Sequence, residues 1–562
     1  MKKLTSTNHG LNKHMLAAAL LTACAAGASA QSAVDAYNMS QTELRGTARF
    51  MSMAGAFTAL GGDISTLNQN PGGIGVYRGS DIGFTFDVNM LNSKTSGNLA
   101  GARDNSFTKC DVNNFGYIGT INLGSSGLQT ISWGVSYARV NSFNRQYSGI
   151  GMPLQTSLSN YITTFTDGYD PGALFDDGSS NNPYEDYSAN APNWLSILAF
   201  NGGIVTPQVQ IDDEGKPYES NIYDGLFQYQ AVDDGAGGTI PPTTGAGSMT
   251  VNESGYTDEY SINFGGNVSN VVYWGLGIGI TDMGYTQNST YTENLASADV
   301  PVKGDMGITV GDGGFQLTNW KHTSGTGVNV KLGLILKPIN ELRVGVAVHT
   351  PTYWSMTTSY NADISSRFTS GFEGYNQTPT STYDWQLRSP WKLMFGVAGV
   401  IGGRGIISAD YEYQAYNGMN VRDADGTELD YFNGDIKDYF KASNTIRLGA
   451  EFRVTPQFSI RAGYSYTSSN IKEDVKNSNL EVYTSGTNPS YTFDSNTQYI
   501  TCGLGYRFSG FYADLAYVYK HRESTYRAFT SFKDYDGYWY DGPSAKVTDG
   551  NSQLVFTIGY RF

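Results

Sequence analysis

The sequence is poor in cysteine, in histidine and in charge. Of its 562 residues only 3 are cysteine and 5 are histidine, and 15% are charged. Cys110 and Cys502 are far apart, so no disulfide framework is expected, and His322, His349 and His521 lack metal-ligand spacing. We expect no metal and no cofactor. No Ser/His/Asp order or close carboxylate pair emerges, so an enzyme with a catalytic residue set is not expected.

Long apolar runs are also absent after residue 30, and the mean hydropathy of −0.33 excludes membrane-spanning helices. Basic residues are outnumbered, 36 against 51 acidic, for a net charge of −15. Nucleic acid is therefore not an expected partner. Glycine, tyrosine and phenylalanine are abundant, at 68, 40 and 27 residues. This composition favours strands and turns.

Residues 1–30 have the features of a signal peptide. Lys2, Lys3 and Lys13 precede the apolar stretch "MLAAALLTACAAGA", and Ala28-Ser29-Ala30 forms a cleavage site before Gln31. An alternative is a lipoprotein signal, because the residues up to Cys24 also fit a lipobox. We favour simple cleavage, since a barrel anchor makes a lipid redundant.

The C-terminal stretch "LVFTIGYRF" alternates strictly. Leu554, Phe556 and Ile558 share one face, and Thr557 and Gly559 share the other. A period of two with one apolar face indicates a half-buried strand. The same alternation recurs in "YITCGLGYRF", "IRLGAEFRV", "WKLMFGVAGV" and further stretches up to "DIGFTFDVNM".

Together these stretches predict about fourteen strands of roughly ten residues, the length that crosses a tilted bilayer. Six tight turns alternate with seven long loops, the pattern of an outer-membrane barrel with short periplasmic turns. We predict an all-β fold, a transmembrane antiparallel barrel over residues 80–562. Terminal Phe562 resembles the signal read by barrel-assembly machinery. We expect both chain ends to lie in the periplasm and outer-membrane lipids to surround the barrel. The sequence gives no signal for an oligomeric state.

Residues 31–79 precede the first strand and contain "GGDISTLNQNPGGIG". Glycine-rich turns can cradle phosphates, but here no Lys-Ser/Thr follows the glycines and no βαβ unit surrounds them. A compact apolar segment at the mouth of a barrel is instead expected to fold into the lumen.

The segment "GTARFMSMAGAFTALGGDISTLNQNPGGIGVYRGS" resembles the N-terminal hatch of the FadL/TodX family of outer-membrane transporters for hydrophobic compounds. Asn70-Pro71 matches the family pattern, while Gly72 stands where alanine is usual and Ile74 where leucine is frequent. The resemblance implies a fourteen-stranded barrel closed by a hatch, and passive uptake of long-chain fatty acids or other hydrophobic compounds with lateral exit to the membrane. The expected hatch residues are Asn70, Pro71, Gly72, Gly73, Phe50, Met53 and Phe57.

Strand parity places three basic side chains on the lumen face, away from the tight turns. Lys331, Arg447 and Lys392 are candidates to bind a carboxylate, with His349 at a similar depth. The alternative is an internal ion-pair network, because Glu412, Glu451, Asp514 and other charged residues also point inward by parity.

The longest loop spans about residues 144–256. In "LSNYITTF" apolar residues repeat with helical spacing, and "NWLSILAFNGGIV" follows. This loop is expected to form either an external groove that captures ligand or a small core of its own. The groove candidates are Leu158, Phe165, Leu198 and Phe200.

Two other functions stay open at this stage. A general porin for polar solutes is expected if the hatch is mobile and the lumen wet. A surface receptor or adhesin is the third, including a haem-binding one with His349 or His322 as the ligand.

Overall fold

The computed structural model describes residues 32–97, 103–124, 127–178, 182–186, 188, 190–233, 239–304, 307–534 and 537–562. The predicted signal peptide, with Cys24, lies outside the described residues. The fold is a closed antiparallel barrel of fourteen strands around an N-terminal segment, as predicted. The last strand (Ser544–Arg561) pairs with the first (Asp81–Ser96) and closes the barrel, in the register Asp81↔Arg561.

Several strands continue far beyond the predicted ten residues, and four are interrupted. The strands are β1 (Asp81–Ser96), β2 (Arg103–Asn122), β3 (Leu128–Ser142 and Arg145–Pro153), β4 (Thr244–Val268), β5 (Val272–Pro301), β6 (Ile308–Ile339), β7 (Leu342–His349 and Tyr353–Phe368), β8 (Glu373–Gln377, Ser381–Arg388 and Lys392–Ile401), β9 (Gly405–Gln414 and Asn420–Asp423), β10 (Ser443–Arg453), β11 (Phe458–Thr467), β12 (Tyr491–Phe508), β13 (Phe511–Arg527) and β14 (Ser544–Arg561).

Six short connections lie at one end of the barrel, the turn end, and the long connections lie at the other, the loop end. The chain terminus is at the turn end, where Ser80 and Phe562 exchange two backbone hydrogen bonds of 2.8 and 3.0 Å. The predicted loop at 144–256 consists of the second segment of β3, a connection over 154–243 and the start of β4. Four of the seven loop-end connections are long, as predicted, namely those over 154–243, 424–442, 468–490 and 528–543. The other three, over 97–102, 302–307 and 369–372, are short, because the strands continue through much of the predicted loops.

The barrel has an apolar outer surface and a polar inner one. On β1, Ile82, Phe84 and Phe86 are 38, 37 and 41% exposed, whereas Thr85 and Asp87 are completely buried. Comparable outward residues recur around the barrel and form a continuous apolar belt. Exposing an apolar surface of this extent to water would be unfavourable. The belt is the surface that a transmembrane barrel presents to lipid. Among the described residues, no helix combines the length and the apolar character that crossing a membrane requires.

Residues 32–79, which we call the hatch, run through the lumen from near the loop end to the turn end. Its first helix packs against Phe440 and Ile436 near the loop end, and its last turn lies on β4, β5 and β6. Ser32, the first described residue, is therefore inside the lumen, and a periplasmic position for the residues before it stays a prediction. The hatch helices are α1 (Ala33–Met39), α2 (Ala48–Ser52), α3 (Thr66–Gln69) and a 3₁₀ turn (Pro71–Val76).

The loop end carries further short elements that pack on one another above the barrel. They are the helices α4 (Leu158–Thr166), α5 (Pro171–Leu174), α6 (Trp194–Asn201), α7 (Asp430–Tyr439) and α8 (Glu473–Lys476), the 3₁₀ turns Pro183–Glu185 and Tyr416–Gly418, and the paired strands Val205–Ile211 with Pro217–Gly225, Val232–Asp233 with Thr239–Ile240 and Phe532–Lys533 with Trp539–Tyr540.

Candidate ligand cavity and hatch

The predicted Asn70-Pro71 motif closes the turn end of the hatch. The Asn70 side-chain amide donates to the Thr58 carbonyl at 2.6 Å, and its oxygen accepts the Gly72 N–H at 2.9 Å. Pro71 occupies the first position of the 3₁₀ turn, where no N–H is needed. The motif thus holds two distant parts of the hatch together as a compact body.

Glycines let this body lie directly against the barrel wall. A Cβ on Gly72 would lie 2.9 Å from the carbonyl carbon of Gly333, and one on Gly463 would lie 2.5 Å from the Met53 carbonyl carbon. Backbone therefore meets backbone, which only glycine permits. The lumen-facing glycines were visible as alternate positions in the strands, but their common role as the hatch seat was not predicted.

The predicted apolar hatch residues divide into two sets. Met53 and Phe57 are fully buried in a core between hatch and wall, and Phe57 lies 5.3 Å from the Phe50 ring. Phe50 also lines the lumen cavity. Of these three, only Phe50 contributes apolar surface to that cavity.

Buried ion pairs join the hatch to the barrel. Glu451 accepts from Arg49 of α2 at 2.9 Å and from Arg461 of β11 at 2.7 Å, and Arg461 continues to Asp514 at 2.6 Å. The barrel half of this network agrees with the predicted internal ion pairs. Its hatch member, Arg49, was missed, because nothing in a local pattern connects positions 49 and 451.

Beside the hatch, towards the loop end, the lumen encloses a cavity of about 360 Å³. Hydroxyl, amide and charged side chains dominate its lining, and apolar ones such as Phe50, Met394 and Trp354 are scattered. The polar side chains are more numerous, although polar and apolar groups contribute similar exposed areas. A lining of this mixed composition suits an amphipathic ligand better than a purely apolar one.

The four predicted lumen candidates, Lys331, His349, Lys392 and Arg447, lie side by side on this cavity, and we call them the row. Lys331 pairs with His349 across β6 and β7, and His349 pairs with Lys392 across β7 and β8. Arg447 reaches the same row from β10 through Glu412, which lies 3.0 Å from Arg447 and 3.5 Å from Lys392. The tertiary structure thus brings together residues more than a hundred positions apart.

The row is partly neutralised by carboxylates. Lys331 forms a buried ion pair with Glu259, and the His349 ring lies 2.8 Å from the Gln69 carbonyl of the hatch. Three cations face two carboxylates, and the Arg447 Nη1 atom is buried with no partner among the described residues. One N–H donor is thus left to donate to an anionic or carbonyl oxygen.

The cavity also reaches a break in the barrel wall at β3. Pairing between β2 and β3 stops at Asn114↔Ala138, and β3 is interrupted at Phe143 and Asn144. Past that point the edge of β3 lacks β2, and the Val140 carbonyl there accepts the Glu43 N–H of the hatch at 3.0 Å. The hatch therefore covers the edge of a gap between two strands.

Charges anchor the segment that covers this gap. The Glu43 carboxylate pairs with Lys520 and lies 3.1 Å from Arg45, whose other nitrogen lies 2.7 Å from Asp87. Burial raises the pKa of Glu43, but the charges of Lys520 and Arg45 outweigh burial and lower that pKa to about 2. Glu43 was not among the predicted residues, since it lies outside the hatch motif.

We expect the Glu43→Gln variant to lose the part of the acid destabilisation that protonation of Glu43 causes in the parent chain. Because the folded pKa lies below the ordinary value of 4.5, the carboxylate stabilises the fold above pH 4.5, and this stability disappears as the pH falls towards 2. The check is the temperature at which the purified barrel loses its folded gel mobility at pH 3, 5 and 7. The exposed Glu341→Gln variant is the control, and an equal pH profile in both would contradict the assignment.

The predicted groove residues lie in the packed loop-end core. Leu158 and Leu198 are 0% exposed, whereas Phe165 and Phe200 pack at its edge and are partly exposed. The loop thus packs in a core that it shares with inward residues of the barrel strands, such as Phe315 and Ile364. Capture of ligand at its surface stays a prediction. Only Phe165 and Phe200 of this set are reachable from outside.

His349 and His322, the two candidate haem ligands, lie in different parts of the protein and contact different residues. His349 faces the lumen row, and His322 contacts Thr286 at 2.9 Å and stacks on Trp320. Within the described ranges, no group of three or more His, Cys, Asp or Glu side chains is placed to hold a metal ion.

No family model matches this sequence, and no curated protein does. Solved structures match along nearly the whole chain. A FadL homologue of Pseudomonas aeruginosa shares 11% identity over 93% of this chain and 99% of its own, with a TM-score of 0.50. The P. putida toluene transporter TodX shares 12% sequence identity over 92% of this chain and 99% of its own, with a TM-score of 0.46. The CymD monoaromatic hydrocarbon channel shares 12% sequence identity over 93% of this chain and 99% of its own, with a TM-score of 0.42. The likeness to the FadL homologue confirms the predicted fold, a fourteen-stranded barrel around an N-terminal hatch.

Proposed function

We propose that the chain is an outer-membrane transport protein for amphipathic or hydrophobic compounds, long-chain fatty acids among them. The observation that carries this proposal is a lipid-belted barrel whose hatch-covered cavity reaches the strand break at β3. The turn end, with Phe562, faces the periplasm, and the loop end faces outward. Assembly by the barrel-assembly machinery through Phe562 belongs to the same proposal.

The proposed route ends sideways, in the membrane. A ligand enters at the loop end, where Phe165 and Phe200 offer apolar contact, and its polar group reaches the row of Lys331, Lys392 and Arg447. Its tail leaves through the gap edged by Val140. Each buried CH₂ is worth about 0.8 kcal/mol, so a lateral exit avoids returning the tail to water. Passive movement of the ligand down its concentration gradient belongs to the same proposal.

Comparison of co-purifying small molecules tests this function. We expect mass spectrometry to find amphiphiles enriched on the protein from native outer membranes, relative to an unrelated barrel. The Arg447→Met variant should bind acidic amphiphile roughly ten- to a hundredfold more weakly, because a charge-assisted hydrogen bond contributes about 1.5–3 kcal/mol. Arg453→Met is the control, since Arg453 is exposed at the turn-end terminus of the same strand. Absence of any enriched amphiphile would contradict the proposal.

The polar side chains of the cavity lining favour a second candidate, a porin for polar solutes. Conductance in a planar bilayer separates the two functions. A hatch seated as described should pass little current, whereas a steady open conductance with ready sugar flux would favour the porin.

A further inference from the structure

One wall of the cavity contains buried polar atoms that no described protein group satisfies. Thr257, Thr281 and Asn329 are only 4, 3 and 5% exposed, yet the Oγ1 atoms of both threonines and the Oδ1 atom of Asn329 have no partner among the described residues. Burying such an atom unpaired costs about 1–3 kcal/mol. Three of them on one wall therefore indicate binding rather than stability.

The strand register makes these three side chains neighbours. Thr281 of β5 is opposite Glu259 of β4, and Thr257 lies two residues further along the same face of β4. Asn329 of β6 is opposite Gly279, two residues before Thr281. A shared parity on three adjacent strands gives one continuous polar surface.

An aromatic face adjoins this surface. Trp354 of β7 is 6% exposed and lines the same cavity. A Cβ on Gly327 would lie 2.8 Å from both the Thr281 hydroxyl and the Trp354 Cδ2 atom. The glycine thus lets an indole ring and an unpartnered hydroxyl lie side by side.

The hatch presents complementary groups from the other side. Asn68 accepts from the Ser261 hydroxyl at 2.9 Å, which places its amide against β4. The Asn68 Nδ2 and Gln69 Oε1 atoms are buried without a partner among the described residues, and both residues line the cavity. The hatch thus adds an unpartnered N–H donor and an unpartnered acceptor oxygen to the lining of the same cavity.

We propose that this wall binds the hydroxyl-rich ring of a glycosyl head group. A sugar hydroxyl both donates and accepts, which matches threonine hydroxyls beside amide oxygens and an amide N–H. The C–H face of the ring packs on the Trp354 indole. A carboxylate suits this wall poorly, because the Asn329 and Gln69 oxygens only accept. The inference rests on the proposed transport function and deepens it, since it makes glycosylated amphiphiles the substrate class.

The Thr281→Val variant tests the site, because valine keeps the shape and removes only the hydroxyl. In nanodiscs, with empty nanodiscs subtracted, equilibrium dialysis should show binding of n-octyl β-D-glucoside that weakens roughly three- to tenfold in the variant. Thermal stability should be unchanged or higher, since the hydroxyl has no protein partner. Thr130→Val is the control: its hydroxyl is equally buried and unpartnered but lies on β3 outside the cavity lining.

Three outcomes would overturn the proposal or its basis. Glucoside binding that Thr281→Val leaves unchanged, while octanoate also binds, would remove the glycosyl site and leave amphiphile transport standing. Glucose binding as tightly as the glucoside, with the same sensitivity, would support the hydroxyl site and contradict transport of amphiphiles. Binding of none of the three probes would contradict both.

Discussion

The Gly396→Val variant should release the hatch and open the barrel to ions. A Cβ at this position of β8 would lie 2.5 Å from the Asp410 Oδ1 atom of β9, 2.8 Å from the Thr58 Cβ and 3.1 Å from the Ala59 backbone nitrogen. Both the hatch and the Asp410 carboxylate, which accepts the Thr58 N–H, must therefore move. Overpacking of this kind costs about 1–3 kcal/mol, and the open fraction should rise roughly ten- to a hundredfold. Single-channel conductance in planar bilayers measures this fraction directly.

Gly399→Val on the same strand is the matched control for this experiment. A Cβ there would come no nearer than 3.9 Å to any other group, the Glu341 carbonyl oxygen. We expect its conductance to equal that of the parent chain. If both variants opened equally, strand distortion rather than loss of the hatch seat would be the cause, and the seat would be disproved.

The Glu451→Gln variant should loosen the hatch through charge rather than shape. Its carboxylate bridges Arg49 and Arg461, and Arg461 keeps Asp514 as a second partner. Arg49 would be left buried without its carboxylate, at a cost of about 3–5 kcal/mol. Trypsin should then cut after Arg49, which is only 9% exposed in the intact protein.

The exposed pair between Arg367 and Glu373 provides the comparison. Its side chains are 81 and 65% exposed at a separation of 3.0 Å, so Glu373→Gln should change stability by about 0–1 kcal/mol. Cleavage after Arg49 in both variants, or in neither, would show that the buried bridge does not anchor the hatch.

The strands near the turn end were readable from the sequence because lipid imposes a simple rule. Every outward residue there must be apolar, as in Phe556 and Ile558 of β14. The long outer parts of β5 and β6 were not readable in this way. Around Thr290 and Gln316 the outer face of the strands carries polar side chains, whereas Tyr291 and Leu317 on the inner face pack in the loop-end core. The apolar side of the strands therefore reverses although pairing continues.

For the lumen candidates too, the sequence predicted one property, the side of the strand, and left another, the ion-pair partner, to the tertiary structure. Parity placed Lys331, Lys392 and Arg447 on the inner face, and the structure places them there. Parity did not predict which carboxylates neutralise them. The pairing of Glu412 with Arg447 depends on where one strand lies along the next, and in a barrel that offset is a property of the closed sheet.

The amino-acid order alone therefore predicted the barrel, its strand number, its plug and the sides of its strands, because each follows from local periodicity or a short motif. The contact between Glu43 and Val140, the bridge from Arg49 to Glu451 and the polar wall around Thr281 arose only in the tertiary structure. Their partners are nearly a hundred or several hundred positions apart, or lie on separate strands. Barrel closure brings them together, and no local pattern records that distance.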